Sequence, residues 1–286
     1  MQKFSNITCR ADQVALQQTC DALCNWSEKW LLPLNVTKCI ILRVGRVTDL
    51  TSSDYYLTLR NTTSKLSVVT SVKDLGVTVD NRLSFKEHIL TKINKAYSIL
   101  GIIKRSFKHM DSYTFVKIYK TMVRSHLEYA VSVWSPSSKG SIDDLERVQR
   151  RATKMIRHCH GMSYKDRLKY LNLPTLAYRR IRGDMIEVYK ILSDKYDNDI
   201  TLNLGLSSCT FTRGNALKLT TVRPKYDIRK YFFCFSLEHY SLPDSVITSD
   251  TVNAFKNALD RHWQSEEILY DYRAKLSGTG VRGLDI

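Results

Sequence analysis

The 286-residue sequence has no long hydrophobic run. No stretch approaches the ~20 consecutive apolar residues of a membrane span, which excludes a helical membrane-spanning protein. The amino-terminal residues MQKFSNITCRADQ also lack the apolar core of a signal peptide. We therefore expect an intracellular protein, cytoplasmic or nuclear, with no membrane partner.

Common catalytic motifs are absent as well. The sequence contains neither a phosphate-binding glycine loop nor the nucleophile elbow of a hydrolase, and we expect no small-molecule substrate for this chain alone. The cysteines are odd in number and scattered, which favours reduced thiols over a disulfide framework. They are Cys9, Cys20, Cys24, Cys39, Cys159, Cys209 and Cys234.

Acidic residues are few relative to basic ones. The chain has 28 Asp and Glu against 44 Lys and Arg, which gives a net charge of +16 and a pI near 9.5. Between Lys86 and Lys190 there are 22 basic and 9 acidic residues, so most of this excess lies in about a third of the chain. A hydrophobic content of 43% is typical of a globular protein. The charge indicates a polyanionic partner such as nucleic acid.

Residues 1–84 are predicted to form a helix packed on a small sheet. Residues 12–31 are predicted to form an amphipathic helix that is capped near Asp12. Its apolar residues lie largely on one face, and they are Val14, Leu16, Cys20, Leu23, Cys24, Trp26, Trp30 and Leu31. KCIILRVG predicts a buried strand that ends at Gly45, and DYYLTLR predicts a second strand. KLSVVTSVKDLGVTVD predicts one or two more, with Gly76 at a bulge or a close backbone approach.

Residues 85–160 are predicted to form three helices that pack as a bundle. The first covers residues 86–107 with a stripe of Ile89, Ile93, Ala96, Tyr97, Leu100 and Ile103. The second starts near Asp111 or Ser112 and runs toward Trp134, where SPSSKG breaks it. The third is DLERVQRRATKMIRH, residues 144–158. Its predicted buried stripe is Leu145, Val148, Ala152, Met155 and Ile156.

The basic residues of this third helix follow a different face. They are Arg147, Arg150, Arg151, Lys154 and Arg157. Such a face is either a binding surface for phosphates or a solvated surface, and the pattern alone leaves both interpretations open.

Residues 161–286 are predicted to form a mixed carboxyl-terminal region. An apolar pattern over residues 163–195 is interrupted by NLPTL and continues as a helix through Met185 and Leu192. Residues 212–236 suggest short strands or irregular chain, TVNAFKNALDRHW suggests a final helix, and SGTGVRG a loose tail. The predicted fold class is therefore α+β.

Two patterns raise the possibility of a metal site. CDALC, Cys20 to Cys24, and HCH, His158 to His160, contain metal-ligating residue types, but small thiols on an apolar helix face are more often core residues. The adjacent carboxylates Asp143 and Asp144 precede a predicted helix, so capping is the favoured interpretation for them. We expect no metal site and no cofactor in this chain.

Five segments in order resemble one family. LQQTCDALCNWSEKWLLPLNVTKC, KDLGVTVDNRLSFKEHI, HLEYAVSVWSP, DLERVQRRATKMI and LPDSVITSDTVNAFKNALDRHW resemble the carboxyl-terminal part of the reverse transcriptases of non-LTR retrotransposons of the jockey and CR1 type. The resemblance runs from about Asp12 to Trp263. It implies that residues 1–84 are the end of the polymerase palm and residues 85–160 a thumb.

The resemblance also implies roles for particular residues. LNVTKC is similar to a palm motif whose lysine lies near the phosphates of the incoming nucleotide, and Lys38 matches that lysine. DLGVTVD is similar to the primer grip, in which Leu75 and Gly76 approach the primer end. A thumb holds the product duplex through its backbone, so the five basic residues from Arg147 to Arg157 are expected to face phosphates of RNA or RNA–DNA duplex.

The carboxylates that such a polymerase requires are missing. Phosphoryl transfer needs two divalent metals, Mg²⁺ in the full-length polymerase, held by an early aspartate and a Tyr/Phe-Ala-Asp-Asp turn. Neither is found in this sequence, which is expected to start downstream of that turn. We therefore expect a truncated polymerase fragment that is inactive alone and binds nucleic acid nonspecifically. The alternatives are a domesticated host protein that uses the thumb-like helices for RNA or protein binding, and an unrelated enzyme.

Overall fold

The computed structural model describes residues 3–45, 53–197, 202, 204, 242–274 and 276. The chain divides into two compact units, Met1–His88 and Ile89–Ile286. Long helices and two-stranded sheets make up the described ranges, which is consistent with the predicted α+β class. No helix in these ranges is long and apolar enough to span a bilayer.

The first unit opens with helix α1, Arg10–Lys29. Its N-cap is Cys9, and the predicted capping residue Asp12 instead lies in the first turn. Its Oδ2 accepts hydrogen bonds from the Thr8 hydroxyl (2.7 Å) and from the amides of Thr8 (2.8 Å) and Cys9 (2.9 Å). These bonds hold the pKa of Asp12 well below its ordinary value. The Asp12 carboxylate therefore fixes the two residues that precede the helix.

The predicted apolar face of α1 is only partly buried. Cys24 packs with Tyr55, Leu57 and Leu66, while Leu16 and Cys20 lie at the edge of this cluster. The prediction was wrong for four residues that are exposed, namely Val14, Trp26, Trp30 and Leu31. The small strand pairs of this unit offer too little surface to cover a wide face, and Trp30 and Leu31 follow the end of the helix.

Over residues 3–45 and 53–88, the strands form three separate pairs instead of one sheet. They are β1 (Ile40–Leu42), β2 (Tyr56–Leu59), β3 (Thr62–Lys65), β4 (Ser67–Val69), β5 (Ser71–Asp74) and β6 (Val77–Asp80). Strand β1 is parallel to β4, whereas β2–β3 and β5–β6 are antiparallel. The predicted buried strand is shorter than expected, because it stops at Leu42 and leaves Ile40 exposed.

The second unit is helical in its described part, and helix α2 leads into it. The helices are α2 (Lys86–Ser106), α3 (Ser112–Ile118), α4 (Ser125–Glu128), α5 (Val131–Trp134), α6 (Lys139–Thr153), α7 (Tyr164–Leu171), α8 (Leu176–Leu192), α9 (Asp244–Ile247) and α10 (Val252–His262). A π-helical segment, Tyr119–Arg124, joins α3 to α4. The predicted stripe of α2 is buried apart from Tyr97, which is half-buried.

The second predicted helix is broken before its end. Asp111 caps it as expected, because its carboxylate accepts the Thr114 amide at 3.0 Å. The helix stops at Glu128, and Ala130 adopts the left-handed conformation with φ 52°. The Trp134 indole donates to the Tyr129 carbonyl across this break at 2.7 Å. The short helix α5 is therefore tied back to the turn that precedes it.

Helix α6 starts earlier and ends earlier than predicted. Ser138 is the N-cap and accepts the Ser141 amide at 3.2 Å, so the interpretation of Asp143 and Asp144 as caps was wrong. A serine outside the apolar repeat makes the cap, and both aspartates lie inside the helix. At the other end α6 stops at Thr153, so the predicted buried residue Ile156 is buried in extended chain.

Helices α8 and α10 form an aromatic core. The rings of Tyr189 and Phe255 stack with centroids 4.2 Å apart, and Tyr178 meets Trp263 edge-on at 6.0 Å. The predicted final helix is confirmed as α10, and the helix through Met185 as α8. The predictions for residues 212–236 and for the tail 277–283 lie outside the described residues.

Candidate nucleic-acid interface

Helix α6 separates an apolar face from a basic face. Leu145, Val148 and Ala152 are fully buried. Arg147, Arg150, Arg151 and Lys154 fall within an arc of about 100° at the helical periodicity. Arg147, Arg151 and Lys154 are exposed and Arg150 is half-buried. Arg157 lies beyond the helix in a 3₁₀ turn, Arg157–Cys159, where it is exposed. We call these five basic residues the basic face.

Two buried polar side chains fix the orientation of α6. Glu146 accepts hydrogen bonds from the Tyr164 hydroxyl at 2.7 Å and from the Ala177 amide at 3.0 Å. Gln149 accepts from the Tyr119 hydroxyl at 2.7 Å and donates to the Pro174 carbonyl at 3.0 Å. Both side chains have 0% exposure. They join α6 to α7, α8 and the π-helical segment, which holds the opposite side of α6 toward solvent.

The carboxyl of Glu146 is desolvated. Burial raises its pKa, while the hydrogen bonds from Tyr164 and Ala177 and the charge of Arg180 act in the opposite direction. At the helical periodicity Gln149 lies beside the apolar face, and Glu146 lies between that face and the basic face. Sequence reasoning missed both residues as structural anchors.

The residues of the basic face differ in their intramolecular contacts. Arg147 pairs with Asp144 at 2.9 Å but keeps 65% of its side chain exposed. The Arg151 guanidinium lies 5.3 Å from the ring centroid of Tyr97. That of Arg150 lies 5.1 Å from the Tyr164 ring and 5.7 Å from the Tyr272 ring. Arg150 is therefore the most constrained of the five.

A concave site lies beside the carboxyl end of α6. Its volume is about 570 Å³, and one wall is the start of α7. It is lined by Arg150, Lys154, Cys159, His160, Gly161, Met162, Ser163, Tyr164 and Arg167. None of these nine residues is acidic, so the local charge is strongly positive. Of them, only Arg150 and Lys154 were predicted as site residues.

The predicted palm residues lie in the first unit. Lys38 is exposed at the end of a 3₁₀ turn, Val36–Lys38. Leu75 and Gly76 form the two-residue turn between β5 and β6, with φ of 43° and 84°. The expected bulge at Gly76 is absent from this pair, because Asp74 pairs directly with Val77. Positive φ at both positions is typical of a hairpin turn that follows the strand twist. The side chain of Leu75 is 84% exposed.

The residues considered for a metal do not converge. Cys24 is buried in the core of the first unit, and desolvation raises the pKa of both Cys20 and Cys24. Cys159 is buried, while His158 and His160 on either side are exposed. Over the described ranges, no three His, Cys, Asp or Glu side chains gather in a way that could hold a metal ion.

Comparison with known proteins gives three relatives. An uncharacterized protein of Caenorhabditis elegans is 29% identical over 135 residues, which cover 46% of this chain and 68% of that protein. The RNA-directed DNA polymerase from mobile element jockey of Drosophila funebris is 27% identical over 205 residues, which cover 68% of this chain. The probable RNA-directed DNA polymerase from transposon BS of Drosophila melanogaster is 22% identical over 163 residues, 54% of this chain.

The aligned regions span only 21% and 17% of the two polymerases. No family model and no solved structure gives a significant match. The two polymerase alignments nonetheless agree with the resemblance drawn from the five sequence segments. They support a distant relationship between this chain and the RNA-directed DNA polymerases of mobile elements.

Proposed function

We propose that the chain corresponds to the part of a mobile-element reverse transcriptase that follows the catalytic aspartates, and that it binds RNA or RNA–DNA duplex nonspecifically through the basic face. The observation that carries this proposal is the geometry of α6. Its apolar and buried polar residues fix the helix, and four of the five basic residues are exposed. Backbone phosphates are the ligand that a sequence-indifferent row of cations fits.

The palm residues complete the proposal. Lys38 corresponds to the lysine near the leaving pyrophosphate, and Leu75 and Gly76 to the primer grip. The turn places both Leu75 and Gly76 at the tip of the β5–β6 hairpin, with the Leu75 side chain exposed. Because the sequence lacks the carboxylates that hold the catalytic metals, we expect no polymerase activity from this chain alone.

The test is the salt dependence of duplex binding. Arg147, Arg151 and Arg157 are changed together to Gln, and binding to a labelled RNA–DNA duplex is followed by anisotropy at several salt concentrations. Each lost phosphate contact lowers the slope of log K against log salt by about 0.7 to 0.9, so three lost contacts flatten it by about 2 to 3.

The matched control carries the same charge change elsewhere. Lys95, Lys104 and Lys108 are exposed on or just after α2 and are changed together to Gln. We expect a clearly smaller change of slope for this control. Equal salt slopes for the wild type and for the variant of Arg147, Arg151 and Arg157 would overturn the proposal.

A second candidate function is favoured by one comparison. The alignment with the Caenorhabditis elegans protein covers 68% of that protein, so this region makes up most of a separate chain. This is the arrangement expected of a domesticated module that binds RNA or a protein partner. A monomeric, soluble product would favour the module, whereas insolubility would favour the polymerase fragment.

A further inference from the structure

The concave site at the end of α6 contains a concentration of positive charge. We call Arg150, Lys154, His160 and Arg167 the basic pocket. Arg150 and Lys154 come from the end of α6, His160 from the following turn, and Arg167 from α7. A volume of about 570 Å³ lies in the range of small-molecule sites and admits a phosphate group with its adjoining sugar.

Arg167 is a buried cation without an acidic partner. Its side chain is only 4% exposed. Its Nε donates to the Thr153 hydroxyl at 3.0 Å and its Nη1 to the Met162 carbonyl at 2.7 Å, and both acceptors are neutral. Within the described part of the chain it forms no ion pair. These two bonds use two of the five N–H donors of the guanidinium.

Arg150 is held close to the same place. Its guanidinium and that of Arg167 both face the Tyr164 ring, at 5.1 and 5.6 Å from the centroid. Nη2 of Arg150 donates to the Tyr272 hydroxyl at 3.0 Å, and Nε is buried with no acceptor among the residues that the structure describes. Two like charges therefore share one aromatic ring, and neither has a carboxylate to offset it. A buried charge of this kind is costly unless a counter-ion approaches it.

The rim of the site adds an exposed lysine and an exposed histidine. Lys154 and His160 are exposed at the opening. Gly161, next to His160, has φ 82° and starts the turn into α7. Ser163, the N-cap of α7, also lines the site, and its hydroxyl donates to the Asp166 carboxylate at 2.6 Å, which offsets part of the positive end of the helix dipole.

We propose that the basic pocket binds a phosphate group of a nucleic-acid strand, with Arg150 and Arg167 as fixed cations and Lys154 and His160 closing over the anion. The nucleic-acid source of the phosphate rests on the proposed function, whereas the capture of a phosphate group does not. The pocket would anchor one strand beside the row of cations on the outer side of α6.

The experiment uses the full chain and two probes, inorganic phosphate and an RNA–DNA duplex. Nuclear magnetic resonance follows the His160 ring and the Gly161 amide, with sodium chloride at matched ionic strength as the reference. Lys154→Met removes one cation of the pocket. Lys169→Met is the control, because Lys169 is an exposed lysine on α7 that does not line the site.

We expect both probes to shift the two resonances in the wild type and in Lys169→Met, and we expect Lys154→Met to lose most of the shift. Duplex binding with no shift from either probe would overturn the pocket and leave the proposed function standing. Shifts from phosphate without any duplex binding would support phosphate binding at the pocket and refute the proposed function. Shifts from phosphate alone, with the duplex bound elsewhere, would overturn the assignment to a nucleic-acid strand.

Discussion

Replacing Glu146 with Ala should destabilise the second unit strongly. The side chain has 0% exposure and accepts the Tyr164 hydroxyl and the Ala177 amide. The change removes both acceptors and leaves a cavity where α6, α7 and α8 meet. It also removes a negative charge that acts on Arg180, a side chain only 6% exposed.

The magnitude follows from these contacts. A buried donor without an acceptor costs about 1 to 3 kcal/mol, and Glu146→Ala leaves two such donors, the Tyr164 hydroxyl and the Ala177 amide. The loss of a large buried side chain adds a cavity, although part of the site can refill with water. We expect Glu146→Ala to lower the free energy of unfolding by about 3 to 5 kcal/mol. Glu146→Gln keeps the shape and one acceptor, so it should lose about 1 to 3 kcal/mol.

The assay is urea unfolding followed by tryptophan fluorescence. Trp26 and Trp30 are 48% and 61% exposed, so both are replaced by Phe, which leaves Trp134 and Trp263 as reporters of the second unit. Asp144→Ala on the same helix is the control, because it breaks only a surface pair with Arg147 and should cost less than about 1 kcal/mol. If Glu146→Ala behaved like Asp144→Ala, the anchoring role of Glu146 would be refuted.

Two further predictions concern a turn and a buried carboxyl. Gly76→Ala places a Cβ at φ 84° and should lower the free energy of unfolding by about 1 to 2 kcal/mol in thermal or urea unfolding. Leu75→Gly should raise the free energy of unfolding, because glycine adopts positive φ without strain. Equal effects of the two changes would contradict the turn geometry. Asp184 is 6% exposed, and burial raises its pKa to about 7. From about pH 4 to 7 the folded chain keeps a proton that the unfolded chain has lost, so stability falls as pH rises, by at most about 1.4 kcal/mol per unit. In urea titrations, the free energy of unfolding of Asp184→Asn should therefore rise relative to that of the wild type between pH 5 and pH 8. A difference between the two proteins that stays constant with pH would show that the carboxyl does not titrate in this range.

The long helices could be predicted because their burial is periodic. Helices α2, α8 and α10 each pack one face against a core, and a spacing of three to four residues records that face directly. The ends of α6 could not be predicted in the same way. Ser138 forms the N-cap although two aspartates lie nearby, because the position of the cap depends on backbone geometry as well as on residue type.

The candidate site was only half visible in the sequence. The row of cations on α6 follows from helical spacing, but the basic pocket depends on distant residues. Arg150 meets Tyr272 across 122 positions of sequence, and Arg167 reaches the pocket because α7 folds back beside α6. Glu146 was missed because a charged residue beside the basic face is expected to be exposed unless its buried partners are known. Trp26 and Trp30 are a case of the opposite error, because apolar residues predicted to lie on one helix face are exposed. Periodicity predicts which residues share a face, but it does not show whether another element packs against that face.

The π-helical segment Tyr119–Arg124 has a consequence for how this chain compares with relatives. A π turn accommodates one residue more than an α turn, so the extra residue is absorbed locally and the helix after it keeps the same face toward the core. Tyr119 and Val123 are buried within the segment, and Leu127 is buried just after it. A relative with plain α-helix here should therefore match this chain on both sides and differ by a single-residue gap. A one-residue deletion at this point should restore plain α-helix and keep Leu127 on its buried face, because the deleted residue is the one that the π turn absorbs.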